Sequence, residues 1–383
     1  MQLHHRLKVF NFLFFGMLAL FVPFLPVYLG ERGLSPSEIG LVVGTGGFVT
    51  IFTQPLWGFI SDKTKTIRKI LLLLLFLASL FGYFLFSVDG FLLLVVFAMF
   101  VYFFLMPIDP LMESLNFTVA EAAKISYGSI RTYGALGYAV LALVTGYIMS
   151  YFGNNSVGIL FVILGIIGFL IIWKMPDAPT SSKPVTIAGL KSFLSNKQTL
   201  SFLLLVFICS VPARMNETFL GVHILSLGGS TKLVGQAFFI SAASEIIIFA
   251  LSFWWLRSGK ELLIITIAAF FFFVRFFVSA WITDPQMLAL VQLLQMLTFP
   301  IFYTAAIQYL YRIVPVEWRA TGQTVLALLF FGISSIVSSY AGGFLYNSLT
   351  GQHYYLVISG ISLIGTIYGL VSLFVNRKKI TLD

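Results

Sequence analysis

Long apolar runs separated by short polar turns make up most of the chain. Three of them, "ILLLLLFLASLFGYFLF", "VGILFVILGIIGFLIIW" and "LLIITIAAFFFFVRFFVSAW", approach the roughly 20 residues a helix needs to cross a bilayer. Reading every such run between charge and turn clusters predicts twelve helices. They fall at 8–30, 36–60, 68–87, 90–113, 126–152, 156–174, 199–227, 233–256, 261–282, 285–312, 318–347 and 353–376. Lipid offers no water to backbone groups, so each span has to close its own hydrogen bonds. Pro23, Pro26, Pro55, Pro107 and Pro300 are therefore read as kinks or close contacts rather than helix ends. The first run, "FNFLFFGMLALFVPFLPVYLG", exceeds the roughly 7–15 residues of a secretory signal core and has no small-x-small cleavage site. It is expected to remain as the first helix. The fold class predicted is all-α and membrane-integral, with twelve transmembrane helices.

Composition agrees with the pattern. Of 383 residues, 59% are hydrophobic and 10% are charged, against about 25% charged in ordinary soluble domains. A single cysteine, Cys209, excludes a disulfide framework within the chain. The formal charge of +9 gains meaning from its placement. Nearly all loop Lys and Arg fall on one side: Arg6, Lys8, the "SDKTKTIRK" turn, Lys124, Lys174, Lys183, Lys191, Lys197, Arg257, Lys260, Arg312, Arg319 and the "NRKK" tail. Arg32 and Lys232 stand alone on the other. The positive-inside rule makes the first side cytoplasmic. Both termini are then expected inside the cytoplasmic membrane of a prokaryote, with lipid headgroups rather than nucleic acid as the partner of the basic excess.

One long polar insert, "KMPDAPTSSKPVTIAGLKSFLSNKQ", splits the chain. The organisation expected is an N-terminal six-helix bundle over 1–174, a cytoplasmic linker over 175–198 and a C-terminal six-helix bundle over 199–383. The halves echo each other: "IGLVVGTGGFVTIFTQPLWGFISDKT" matches "VGQAFFISAASEIIIFALSFWWLRSG" in layout, and "GYIMSYFGNNSVGILFVILG" matches "GGFLYNSLTGQHYYLVISG". Two pseudo-symmetric bundles facing a central cavity are the build of rocking-type secondary transporters.

Seven charged residues are read as lying within the bilayer: Asp109, Glu113, Arg131, Arg214, Glu217, Glu245 and Arg275. A charge at mid-bilayer costs at least about 2.5–3.5 kcal/mol, so such groups face a cavity or a partner. Asp109 and Glu113 share one face of helix four by their i,i+4 spacing, and Arg131 lies one or two turns into helix five. Two carboxylates facing one guanidinium do not both ionise easily; one can pair while the other carries a proton. The bland reading is an ion cluster that ties two helices together. Arg214 and Glu217, at i,i+3 on helix seven, can neutralise each other or contact substrate. Of the four histidines, His4 and His5 precede the first span, and His223 and His353 fall near the outer face. No metal-ligand cluster, Gly-rich phosphate loop or Ser/His/Asp arrangement stands out, so neither an enzyme nor a cofactor is expected.

These residues resemble the major facilitator superfamily. "GFISDKTKTIRK" is similar to its loop between helices two and three, with Gly58, Asp62, Lys63, Arg68 and Lys69 in the pattern and Lys65 in place of the usual second Gly. The closer resemblance is to the lactose permease and phenylpropionate permease group. It is carried by the first helix with its Pro-Phe-x-Pro element, "TQPLWGFISDK", "YGSIRTYGALGYA" and "RATGQT". The resemblance implies that Glu113 and Arg131 grip substrate, that Tyr138 stacks on it, that Glu245 contacts it, and that Arg275 belongs to a proton site. Helix ten departs from the group: Gln292, Gln295 and Thr298 stand where a Lys, a His and a proton-binding Glu are usual. Gln292 and Gln295 remain able to bond a polar solute, and Asp109, Glu113, Glu217 or Glu245 would have to carry the proton.

The function expected is secondary active transport by alternating access. Proton symport of a sugar-like solute or an aromatic acid is the first reading, and drug or metabolite efflux by antiport is its rival. A membrane enzyme would need a nucleophile or metal set, and a sensor would need an output domain. Substrate, protons and the bilayer are the partners expected, with a single chain as the working unit.

Overall fold

The computed structural model describes residues 3–176, 196–315 and 318–380. Twelve helices among them are long and apolar enough to cross a membrane, and no strand occurs among the described residues. They are α1 (Leu3–Glu31), α2 (Pro36–Thr64), α3 (Arg68–Leu85), α4 (Phe91–Ala123), α5 (Gly128–Phe152) and α6 (Ser156–Trp173) in the first half. The second half holds α7 (Lys197–Ser226), α8 (Thr231–Ala250), α9 (Glu261–Trp281), α10 (Pro285–Ile313), α11 (Gly322–Ser348) and α12 (Gly351–Val375). Of the expected linker at 175–198, positions 177–195 lie outside the described residues.

The ends follow from local chemistry. Ser35 caps α2 in a reciprocal box with Glu38, and Pro36 fills the first helical position, where a missing N–H costs nothing. Asn196 and Asp284 accept the first free N–H groups of α7 and α10. Lys65 and Lys124 end α2 and α4 in the left-handed conformation, at φ 54° and 53°.

Helix four differs from expectation. It was predicted to end at 113, where the apolar run stops, but it continues to Ala123. "SLNFTVAEAA" has only Leu115, Phe117 and Val119 as large apolar residues yet contains no helix breaker, so the helix runs on until Lys124 turns left-handed. Asp109 and Glu113 therefore sit within α4 rather than at its tip. Its chain breaks at Met106–Pro107, between the helical segments Phe91–Leu105 and Ile108–Ala123. Pro23 likewise follows a break in α1, whereas Pro55 sits inside continuous helix.

Packing repeats between the halves. In the first, α1 packs on α5 and α3 on α6; in the second, α7 packs on α11 and α9 on α12. The most enclosed span is α1, with Phe10, Phe14, Phe21, Phe24 and Tyr28 fully buried. Large apolar side chains such as Phe76, Ile159, Trp173 and Phe374 stay exposed, as a lipid-facing surface requires.

The halves meet chiefly through two helix pairs, α5 with α8 and α2 with α11, with a smaller contact between the end of α1 and α7. Each of the two main contacts is a glycine crossing. A Cβ on Gly146 would lie 2.8 Å from Gly235 Cα, and one on Gly40 would lie 2.2 Å from Ser339 O and 3.0 Å from Gly343 Cα. Any side chain there would push the backbones apart. Around these crossings Thr45 and Tyr340 share a hydrogen bond of 2.9 Å, and Thr231 Oγ1 donates to Gly146 O at 3.4 Å. All four glycines lie at the end of their helices remote from the chain termini, so the halves are pressed together at that end.

Candidate functional site

In the first half, the break at Met106–Pro107 starts a new helical segment, and Asp109 falls in its first turn, where the helix dipole favours a negative charge. One turn on, Glu113 Oε1 lies 2.8 Å from Arg131 Nε. Its other oxygen accepts from the Tyr127 hydroxyl and, at 3.4 Å, from Asn116 Nδ2. The guanidinium of Arg131 rests on the face of Phe15 from α1, 4.0 Å from the ring centroid. The glycine one turn after Arg131 makes room for this stack: a Cβ on Gly134 would lie 2.5 Å from the Phe15 ring and 2.9 Å from Arg131 Nη1. Side-chain exposure of 35% for Arg131 and 23% for Glu113 leaves the pair reachable. Asp109 makes no direct bond to Arg131; its Oδ1 is buried without a hydrogen-bond partner, within electrostatic reach of Glu113 and Arg131.

Beneath this cluster, Asn11 of α1 and Asn116 of α4 exchange amide hydrogen bonds of 2.8 and 2.9 Å, both side chains fully buried. This pair ties α1 to α4 and presents Asn116 to Glu113.

In the second half, Arg214 and Glu217 of α7 pair with each other. Arg214 also lies over two rings, 5.3 Å from Phe330 and 5.1 Å from Phe331. Consecutive residues cannot normally face one point from a helix; here α11 is a π-helix over Leu328–Ile333, and the wider turn turns both rings toward α7. Such bulges collect at functional positions.

Glu245 of α8 and Arg275 of α9 are the other opposite charges of this half. The two do not touch among the described contacts: Gln295 stands between them. Arg275 donates to the carbonyl oxygens of both Gln292 and Gln295, and Gln295 Nε2 donates to Glu245 Oε1 at 2.5 Å. Residues Gln292–Leu297 form a 3₁₀ segment within α10. Three residues per turn eclipse side chains at i and i+3, which stacks the two glutamines over one guanidinium.

Tyr138 of α5 makes no described bond to Glu113 or Arg131. It lies instead within electrostatic reach of Glu217, Glu245 and Arg214, and Glu217 also reaches Tyr102 of α4. The charged sets of the two halves therefore face each other. The loop residues lie apart from this centre: Asp62 and Lys63 in the last turn of α2, and Arg68 donating to Trp173 O at 2.5 Å. Gly58 has open space around it. His223 is buried and hydrogen-bonds the Tyr346 hydroxyl at 2.9 Å. Among the described residues no cluster of His, Cys, Asp and Glu could hold a metal ion.

Sequence reasoning missed Tyr127, Phe15, the Asn11–Asn116 pair and the two phenylalanines over Arg214. A signal existed for the asparagines, since an amide inside an apolar helix needs a partner, and for Tyr127, one turn before Arg131.

The profile of the MFS_1 like family matches residues 4–357. An uncharacterized transporter of Bacillus subtilis, YwbF, is 26% identical over 94% of this chain and 90% of its own. The maltose permease of Geobacillus stearothermophilus is 25% identical over 97% of this chain and 94% of its own. Among solved structures, the nucleoside transporter NupG superposes with a TM-score of 0.86 at 17% identity, covering 97% of this chain and 99% of its own, a likeness of fold.

Proposed function

The chain belongs to the MFS_1 like family, and on that premise we propose that it is a proton-coupled symporter of a small organic solute. It is a multi-pass membrane transporter and not an enzyme. The solute is sugar-like or an aromatic acid, held between the halves and handed across by alternating access. Residues 1–174 and 199–383 are the two bodies that rock. With the basic loops and both termini cytoplasmic, the closed glycine crossings lie on the outer side and the site opens inward.

The observation that carries this reading is the Glu113–Arg131 pair. It is one charge of each sign, 2.8 Å apart and partly exposed, backed by Phe15 and set opposite a second charged group. A carboxylate and a guanidinium together offer acceptors and donors to hydroxyls or to a carboxylate. Glu245, Glu217 and Gln295 complete the solute and proton contacts from the other half, whereas Gln292, expected from the sequence as a solute contact, is fully buried and spends its amide on Arg275 and Leu288 O.

The test begins with thermal stabilisation of purified protein by a disaccharide, a nucleoside and an arylalkanoate. Uptake of the stabilising solute into proteoliposomes follows, with and without an inward pH gradient. The gradient should accelerate uptake, and Arg131→Ala should abolish it while the protein remains folded. Uptake by Arg131→Ala equal to the parent, or indifference to the gradient, would overturn the proposal.

A further inference from the structure

Glu245 and Arg275 are both ionisable, both deep in the second half, and joined through one side-chain amide. Donor and acceptor rules fix how that amide points. A guanidinium only donates, so the atom Gln295 turns to Arg275 is its carbonyl oxygen, leaving its NH₂ to donate to Glu245. Thr298 Oγ1 donates to the backbone carbonyl of Gln295 at 3.0 Å and lies 3.4 Å from the same side-chain oxygen. Gln292 is oriented by the same logic, its oxygen on Arg275 and its Nε2 donating to Leu288 O at 2.9 Å. Arg275 is 3% exposed, Gln292 is fully buried, and Arg275 Nε has no hydrogen-bond partner. The guanidinium thus leans on two amide oxygens, and only one of those amides leads to an acid.

We propose that Gln295 is a relay that reports the proton state of Glu245 to Arg275, holding the guanidinium firmly while Glu245 is ionised and loosening it when Glu245 takes up a proton. While the carboxylate is charged, it draws on the Gln295 N–H, and the polarised amide presents a stronger acceptor to Arg275. A proton on Oε1 makes that oxygen a donor; the amide must turn over, and N–H then faces N–H at Arg275. A proton on the other oxygen leaves a neutral acceptor, and hydrogen bonds to neutral groups are about half as strong as charge-assisted ones. Either way the hold of α10 on α9 weakens with the proton.

The groups facing Glu245 are Arg275 of α9 through Gln295, Arg214 and Glu217 of α7, and Tyr138 of α5. Arg214 has its own acid in Glu217. Tyr355 lies within reach of Arg275 and donates to Asn216 Oδ1 at 3.0 Å, so a released guanidinium has a polar neighbour toward α12 and α7. Gln295 is a positioning residue in this scheme, and Glu245 carries the proton. The relay rests on the reading of Glu245 as a proton-carrying group.

Infrared titration of the purified full chain in nanodiscs, without solute or pH gradient, tests it. The carboxyl band of Glu245 is the one missing in Glu245→Gln, and the guanidinium bands of Arg275 are those missing in Arg275→Lys. In the parent protein both should change with one midpoint, and in Glu245→Gln the guanidinium bands should stop responding to pH. Gln295→Met keeps the side-chain length and removes the amide. It should raise the Glu245 midpoint by about one to two pH units, the worth of a lost charge-assisted hydrogen bond, and free the Arg275 bands from that step. Gln292→Met, which removes the other oxygen, should keep the two signals joined. Guanidinium bands that ignore pH in the parent, or that still follow Glu245 in Gln295→Met, would overturn the relay. Should Gln295→Met fail to fold, the parent, Glu245→Gln and Gln292→Met still decide. Joined bands without gradient-driven uptake would sink the symport reading and leave the relay standing; the opposite result would do the reverse.

Discussion

The two halves hold their charges differently. In the first, the regular α segment that follows the break at Met106–Pro107 brings Glu113 into direct contact with Arg131, and side chains of α1, α4 and the turn before α5 finish the cluster. In the second, two helices leave regular α geometry, α10 as 3₁₀ and α11 as π, and the charges meet through an amide or against aromatic rings. The first arrangement suits gripping, because a direct, partly exposed pair presents both signs to a solute. The second suits switching, because each link depends on a bond or ring that a small rotation changes.

The largest effect expected separates these roles. Glu113→Gln leaves Arg131 without an acid partner, and breaking such a pair should lower uptake by at least about a hundredfold. Glu217→Gln leaves Arg214 its two ring faces and should cost only about tenfold. Equal losses in an uptake assay would erase the distinction.

The amide pair under the first site comes next. Asn116→Ala leaves the Oδ1 of Asn11 without a donor in a buried setting, its Nδ2 keeping Leu7 O, and should destabilise the protein by about 1–3 kcal/mol in thermal unfolding. Asn11→Ala with Asn116→Ala should cost less than the two single changes added. Simple additivity would mean that the bonds between them contribute nothing.

At the closed end the halves should behave alike. Gly40→Leu and Gly343→Leu enter the same crossing from opposite sides, so both should speed alkylation of a cysteine introduced at Ser37. The native Cys209 is buried and leaves a low background. A response from only one of the two would show that the crossing is not shared equally.

The smallest effect lies in a loop. Lys65 ends α2 at φ 54°, while the corresponding turn after α8 has glycine, Gly259, at φ 87°. Lys65→Gly relieves left-handed strain of about 1–2 kcal/mol but frees the unfolded chain by about 0.4–1 kcal/mol. Stability should rise by no more than about 1.6 kcal/mol, with uptake unchanged.

Most of the architecture was legible because lipid imposes strict terms: run length gave the spans, and rarity singled out the seven intramembrane charges. Helix four was misjudged by ten residues because hydropathy tracks the bilayer, whereas a helix stops only where its backbone does, here at Lys124. The partners were less legible than the residues. Spacing suggested that Glu217 could neutralise Arg214, yet nothing local in "VQLLQMLTFP" or "LLFFGI" announces tightened or widened turns. Those depend on what the neighbouring helix offers: a guanidinium for Gln292 and Gln295, and another for Phe330 and Phe331.

The widened turn at Leu328–Ile333 also divides α11 mechanically. Beyond it, Gly343 is locked against Gly40; Phe331, 41% exposed, lies within the turn itself. Each residue of an α-helix advances about 100° around the axis, so closing the bulge to an ordinary turn would swing one segment of α11 round relative to the other. A helix with such a swivel can redirect its aromatic pair while its far end stays clamped, letting the rings over Arg214 turn before the glycine crossing has moved.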